Sequence, residues 1–230
     1  MPIPPPRPSP RVPRVAILLG ALGFLLAGPG VAQELALGVK ASTTGLGAEL
    51  TLGLSRQANL RVGGSGYRFD RTFTEQQITY EGTAKLAGGS VLLDLHPGGG
   101  LFRLSVGAVA SRNVVTAHSV GGTVVVNGTS YDVRDVGVLS GEVKGNTLCP
   151  YVGIGLGNAV GKGAPVKLVL DIGAYYMGSP KVSLTAAPAA PAQVPPGFAE
   201  NLEQERRKIE DRASKYRYFP VVSIGISVKI

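Results

Sequence analysis

Val221-Val222-Ser223-Ile224-Gly225-Ile226-Ser227-Val228-Lys229-Ile230 alternates without a break between two rows. Val222, Ile224, Ile226, Val228 and Ile230 form an apolar row, and Ser223, Gly225, Ser227 and Lys229 a small, polar one. A strict period of two marks a β-strand with one apolar face. A tilted membrane-crossing strand needs about 9–11 residues, and this stretch has that length. Standing last in the chain, it is expected to close a sheet on itself.

The same pattern recurs upstream. Leu35, Leu37, Val39 and Ala41 alternate with Ala36, Gly38, Lys40 and Ser42. After a turn near Thr44-Gly45, Leu46, Ala48, Leu50, Leu52 and Leu54 alternate with Gly47, Glu49, Thr51 and Gly53. Asn59 to Phe69 reads as a third strand, 70–76 as a polar loop, and Gln77 to Leu95 as a fourth strand. The parity of that fourth segment blurs at Gly88-Gly89, where a bulge would restore it. Leu101 to Asn113, a segment ending at Tyr151–Gly157, Val166 to Met177 and Val221 to Ile230 complete eight strands, with Pro220 expected just outside the last. Long insertions fall at about 114–139, where Asn127-Gly128 signals a type I′ hairpin, and at about 180–215, where Phe198 to Ser214 reads as a charged surface helix.

The first 32 residues read as a signal peptide. Arg7, Arg11 and Arg14 precede an apolar run from Val15 to Ala27, and Gly30-Val31-Ala32 offers small residues for cleavage. That run of about 13 residues is short of the roughly 20 a membrane helix needs. Residues 33–230 are then one domain.

Composition excludes several classes. The formal charge of +8 comes from scattered residues and forms no patch, so nucleic acid is not expected; the anionic cell surface suits these cations better. One Cys precludes an internal disulfide, and with two His no metal site or cofactor is expected. Trp is absent, although Tyr and Trp favour membrane interfaces.

The expected fold is all-β: an eight-stranded antiparallel up-and-down transmembrane β-barrel with one short helix in the last extracellular loop. A soluble lipocalin-like barrel also has eight strands, but it would carry dense charge outside. Here the second row is Gly, Ser and Thr with occasional ions, too poor in charge to face water and small enough for a cramped lumen. Lys40, Glu49, Arg61, Arg103, Asp171 and Lys229 fall on lumen-facing positions. Isolated charges there are costly, so a paired network is expected.

Three stretches and the closing strand carry a resemblance: Leu92-Leu93-Asp94-Leu95-His96-Pro97, Tyr151-Val152-Gly153-Ile154-Gly155-Leu156-Gly157-Asn158-Ala159-Val160-Gly161-Lys162-Gly163, and Gly178-Ser179-Pro180-Lys181-Val182. Together they resemble a proteobacterial family of small outer-membrane β-barrel proteins, loosely beside OmpW- and OmpX-type barrels. The resemblance implies location and fold, with no agreed activity and no catalytic residues. The chain departs from that pattern in ending on Ile230 where an aromatic residue is expected.

Other motifs read blandly. Gly157 to Gly163 hints at a phosphate loop, but Leu156 and Gly163 stand where such a loop needs Gly and Ser or Thr, so a turn is expected. His118-Ser119 invites comparison with lipid-modifying barrels that use a His/Ser pair, yet adjacent strand residues point to opposite faces. His96, before Pro97, suits a structural role at a turn. The expectation is a non-enzymatic outer-membrane protein with a structural or surface-interaction role. The alternatives are a narrow channel for small solutes or, further off, a lipid-modifying enzyme. Its partners would be outer-membrane lipid, lipopolysaccharide and the barrel assembly machinery, with no nucleic acid; a monomer is expected.

Overall fold

The computed structural model describes residues 34–75, 78–120, 122–187 and 194–230. The signal-peptide expectation lies outside the described residues. Eight strands form the barrel: β1 (Leu35–Ser42), β2 (Gly45–Ser55), β3 (Ala58–Glu75), β4 (Ile78–Leu95), β5 (Phe102–Ser111), β10 (Leu148–Leu156), β11 (Val166–Tyr176) and β13 (Tyr218–Lys229). They pair antiparallel in the order β1–β2–β3–β4–β5–β10–β11–β13, and β13 pairs back with β1, Val39 opposite Ile226. Closure leaves the ring no free edge, which a sheet in hydrocarbon requires.

The two rows of each strand separate cleanly. Val152, Ile172 and Ile224 are 63, 61 and 54 % exposed on the outside, whereas Arg61, Ser105 and Asp171 are at most 4 % exposed inside. Large apolar side chains therefore face outward and charged ones face the axis, the inverse of a water-soluble barrel. The outward row of β11 runs from Val166 to Tyr176. Its ten steps cover ~33 Å along the strand, or ~25 Å vertically at a tilt near 40°, the height of a membrane barrel's apolar band. Tyr176 and Tyr218 close the top of this band with ring centroids 5.3 Å apart, supplying the interfacial aromatic position without Trp.

Small residues in the inner row have a definite job. A Cβ at Gly155 would sit 2.7 Å from Arg103 Nε, and one at Gly173 would sit 2.4 Å from Tyr151 Oη. Glycine there makes room for the long side chains that fill the lumen. At the end carrying Glu34 and Ile230, the turn after β10 tucks Asn158, Ala159 and Val160 under the barrel, and Asn59 Nδ2 donates to Asn158 Oδ1 at 3.0 Å. Gly157 starts that turn at φ 103°, where a Cβ would strike the Leu168 carbonyl. The phosphate-loop-like stretch is thus the plug of the lower mouth.

Three expectations about the barrel strands need correction. Residues 70–75 are strand and not loop, because β3 and β4 continue past the end of β2 as a ribbon, with Tyr67 opposite Leu86 and Asp70 opposite Thr83. Gly88-Gly89 carries no bulge against β3; β4 instead changes partner there, pairing with β5 below and with a strand of the first insertion above. The irregularity lies at Gly53/Ser55, between β2 and β3. Pro220 lies inside β13, opposite Ala174. Its carbonyl accepts from Thr43 Oγ1 on the side where β1 has already ended, so its missing N–H costs no ladder bond.

The two insertions also carry more structure than loops. They contain β6 (Val114–Ser119), β7 (Thr123–Val126), β8 (Thr129–Asp132), α1 (Val133–Val136), β9 (Val138–Lys144), β12 (Lys181–Ala187) and α2 (Phe198–Ala213). β6, β9 and β12 extend the β3–β4 ribbon into a wing above the barrel. The expected hairpin is β7–β8, with Asn127 at φ 54° and Gly128 at φ 81°. α2 is not a bare surface helix. Its Phe198 packs edge-on against Tyr131 at 4.9 Å, inside a small core with Val124, Val126, Val136 and Leu139.

Candidate functional site: the lumenal charge network

Odd positions of β3 face the axis, so Arg61 projects into the middle of the lumen. Its Nη1 donates to Asp171 Oδ2 at 3.0 Å and to Glu49 Oε2 at 3.4 Å. Its Nη2 donates to Asp94 Oδ1 at 3.0 Å, Asp171 Oδ1 at 3.1 Å and Ser105 Oγ at 3.3 Å. Nε stands 2.9 Å from Asp94 Oδ2 as an ion pair, off the line for a hydrogen bond. One guanidinium thus joins carboxylates from three strands.

The cluster extends both ways from Arg61. Lys40 Nζ donates to Glu49 Oε2 at 2.8 Å. Arg103 Nη2 donates to Asp171 Oδ1 at 2.6 Å and Nη1 to the Gly157 carbonyl at 2.7 Å, tying the network to the lower plug. Ser105 Oγ donates to Asp94 and Ser223 Oγ to Asp171. Three cations face three carboxylates, so the group is neutral. A buried ionic group persists only with this degree of pairing and hydrogen bonding.

Five of the six residues singled out from sequence meet here: Lys40, Glu49, Arg61, Arg103 and Asp171. Lys229 does not. It pairs with Glu34 at the lower end, with its side chain 30 % exposed, because its position is the last inward one of β13. Asp94 is the member that sequence reasoning missed. It sits two residues from Leu92 on the inward row of β4, and the blurred parity at Gly88-Gly89 hid that row.

Above the network lies a cavity of about 50 Å³ lined by Lys40, Ser65, Tyr151, Tyr175 and Ser223, with Arg61 and Asp171 as its floor. Below it, His96 is buried, and neither ring nitrogen has a partner at hydrogen-bond geometry. Burial pushes the His96 imidazole below its ordinary range. His118 and Ser119 point to opposite faces: Ser119 Oγ is buried and accepts from the Leu139 N–H, while His118 Nδ1 lies 2.8 Å from Ser140 Oγ in the exposed wing. Among the described residues, no cluster of His, Cys, Asp and Glu could hold a metal ion.

No protein-family model and no curated protein matches the sequence. Among solved structures, Acinetobacter baumannii CarO2 superposes with a TM-score of 0.57 at 21 % identity, over 86 % of this chain and 98 % of that one. A. baumannii CarO gives 0.54 at 21 % identity, over 84 % and 96 %. A major outer membrane protein from Thermus thermophilus aligns over 85 % of this chain and 99 % of that one at 12 % identity, with a TM-score of only 0.35. The chain has the fold of the small eight-stranded outer-membrane β-barrels.

Proposed function

We propose that the chain is a non-enzymatic, integral protein of the bacterial outer membrane, exported through its N-terminal signal, whose barrel anchors the wing at the cell surface. The observation that carries this reading is the inverted packing: an apolar exterior around a neutral, hydrogen-bonded ionic core. The lumen is crossed by Arg61, Arg103, Glu49, Asp94 and Asp171, all nearly inaccessible to water, which favours a structural or surface-interaction role over transport. With the lower end in the periplasm, the turns after β2, β4 and β10 lie inside and are short, and both long insertions lie outside, the usual asymmetry of such barrels. Outer-leaflet lipid and lipopolysaccharide surround it, and the closing strand is the part offered to the assembly machinery. Membrane fractionation with heated and unheated gel migration tests this. A heat-modifiable band in the outer membrane is expected, and a soluble periplasmic species would reject it.

A second reading, a narrow path for small solutes, draws on the cavity above Arg61. Planar-bilayer recording separates the two: the structural reading expects no unitary conductance from the wild-type protein, and steady conductance would favour the path.

A further inference from the structure

The wing's outward face begins where the apolar band ends. Its lowest row runs in lateral register across five strands: Arg68 on β3, Lys85 on β4, Val114 on β6, Lys144 on β9 and Lys181 on β12. Arg112 stands one step below, its N–H bonded to the Ala87 carbonyl. All five cations are exposed, and the row spans four interstrand spacings, ~19 Å.

Three features make this row unusual. Arg68 lies directly opposite Lys85, and Lys144 directly opposite Lys181; like charges so placed destabilise a sheet. Only two of the five form an ion pair, Arg68 with Asp70 and Lys144 with Glu142, each at 2.9 Å. Lys85, Arg112 and Lys181 make no ion pair or side-chain hydrogen bond among the described residues. Finally, the strip is narrow, with Asp70 and Glu142 on the row above and the apolar band below.

Height identifies the counter-ion. On the outward row of β4, Lys85 is ten residues above Leu95, ~33 Å along the strand and ~25 Å vertically, the full height of the apolar band. Tyr176 and Tyr218 mark the same level across the barrel. Lys85 and its neighbours Arg68 and Arg112 therefore stand at the headgroups, and acids on the row above discourage a polyanion arriving from solution.

We propose that this row is a binding site for the phosphate groups of outer-leaflet glycolipid, a proposal that rests on the membrane placement argued above. Paired cations from neighbouring strands clamp each phosphate with charge-assisted bonds. The lipid supplies the negative charge that the sheet itself withholds, and so fixes the wing upright over the bilayer.

The test uses the full-length mature protein in phosphatidylcholine nanodiscs containing diphosphoryl lipid A or the same lipid with its phosphates removed. Native mass spectrometry counts retained lipid A. Wild-type protein is expected to retain the phosphorylated form selectively and to lose it as salt rises. K85Q/R112Q/K181Q should weaken retention about fivefold per cation, about a hundredfold together. A charge-matched control on and just beyond α2, K208Q/R212Q/K215Q, should leave retention unchanged. Equal retention of both lipids, or equal losses in the two triple variants, would overturn the proposal while leaving the membrane reading intact. Failure of the wild-type chain to insert would overturn both.

Discussion

Replacing Arg61 with methionine keeps the unbranched stem of the side chain and removes the one group that joins three carboxylates. The remaining partners are unequal. Glu49 keeps Lys40 at 2.8 Å, and Asp171 keeps Arg103 at 2.6 Å with Ser223 at 3.1 Å. Asp94 keeps only the Ser105 hydroxyl. The variant thus leaves a cluster of net charge −1, with the surplus on Asp94, which is 1 % exposed. Breaking a buried pair by removing one partner costs about 3–5 kcal/mol, or two to nearly four decades in the folding constant. Removing both partners in R61M/D94L restores neutrality and should recover most of that loss. The assay is urea unfolding in lipid vesicles, followed by far-UV circular dichroism and the heat-modifiable band, since no Trp is available as a probe. A cost below about 1 kcal/mol for Arg61→Met, or strict additivity in the double variant, would refute the account of the network.

Other expectations follow from the same geometry. Ile224→Arg places a charge on the outward face at mid-height, where Ile224 is 54 % exposed. It should destabilise the protein by about 2–4 kcal/mol in a bilayer, and a neutral result there would argue for a water-facing exterior. Phe198→Ala empties the small core of the wing at a cost of about 3–5 kcal/mol. Limited proteolysis should then cut within the insertions while the barrel keeps its gel shift, and loss of that shift would show that wing and barrel fold as one unit. Burial lowers the His96 pKa, so the unfolded chain takes up the proton first as pH falls. Stability at the lower end should be insensitive to His96 above pH ~6.5 and decline below it. A ring signal titrating at or above that value in an NMR pH series would contradict this burial.

Much of the barrel is legible in sequence because strand parity is a local property. Leu50 and Glu49, or Ile224 and Ser223, alternate in the chain, and any closed sheet must send the two rows to opposite sides. Alternation therefore placed the strands and the axis-facing Arg61 and Arg103, and the Asn-Gly pair placed the turn at Asn127-Gly128. It failed where a strand has two histories. β4 serves the barrel from Gly88 to Leu95 and the wing before it, so Asp94 went unassigned, and residues 70–76 read as a polar loop although 70–75 belong to the ribbon. Lys229 shares the parity of the network but not its height, a distinction that parity does not encode.

What the sequence determines by itself is which side chains turn inward, since that depends only on the two-residue pleat. What tertiary structure decides is which inward residues meet: Arg61 joins Glu49, Asp94 and Asp171 from sequence separations of 12, 33 and 110 residues. Those distances are set by closure and by the stagger of the strands. Strand pairing in the wing, outside the closed ring, aligns Arg68, Lys85, Lys144 and Lys181 in one row, because lateral register across a sheet is a relation between strands and is written in none of them alone.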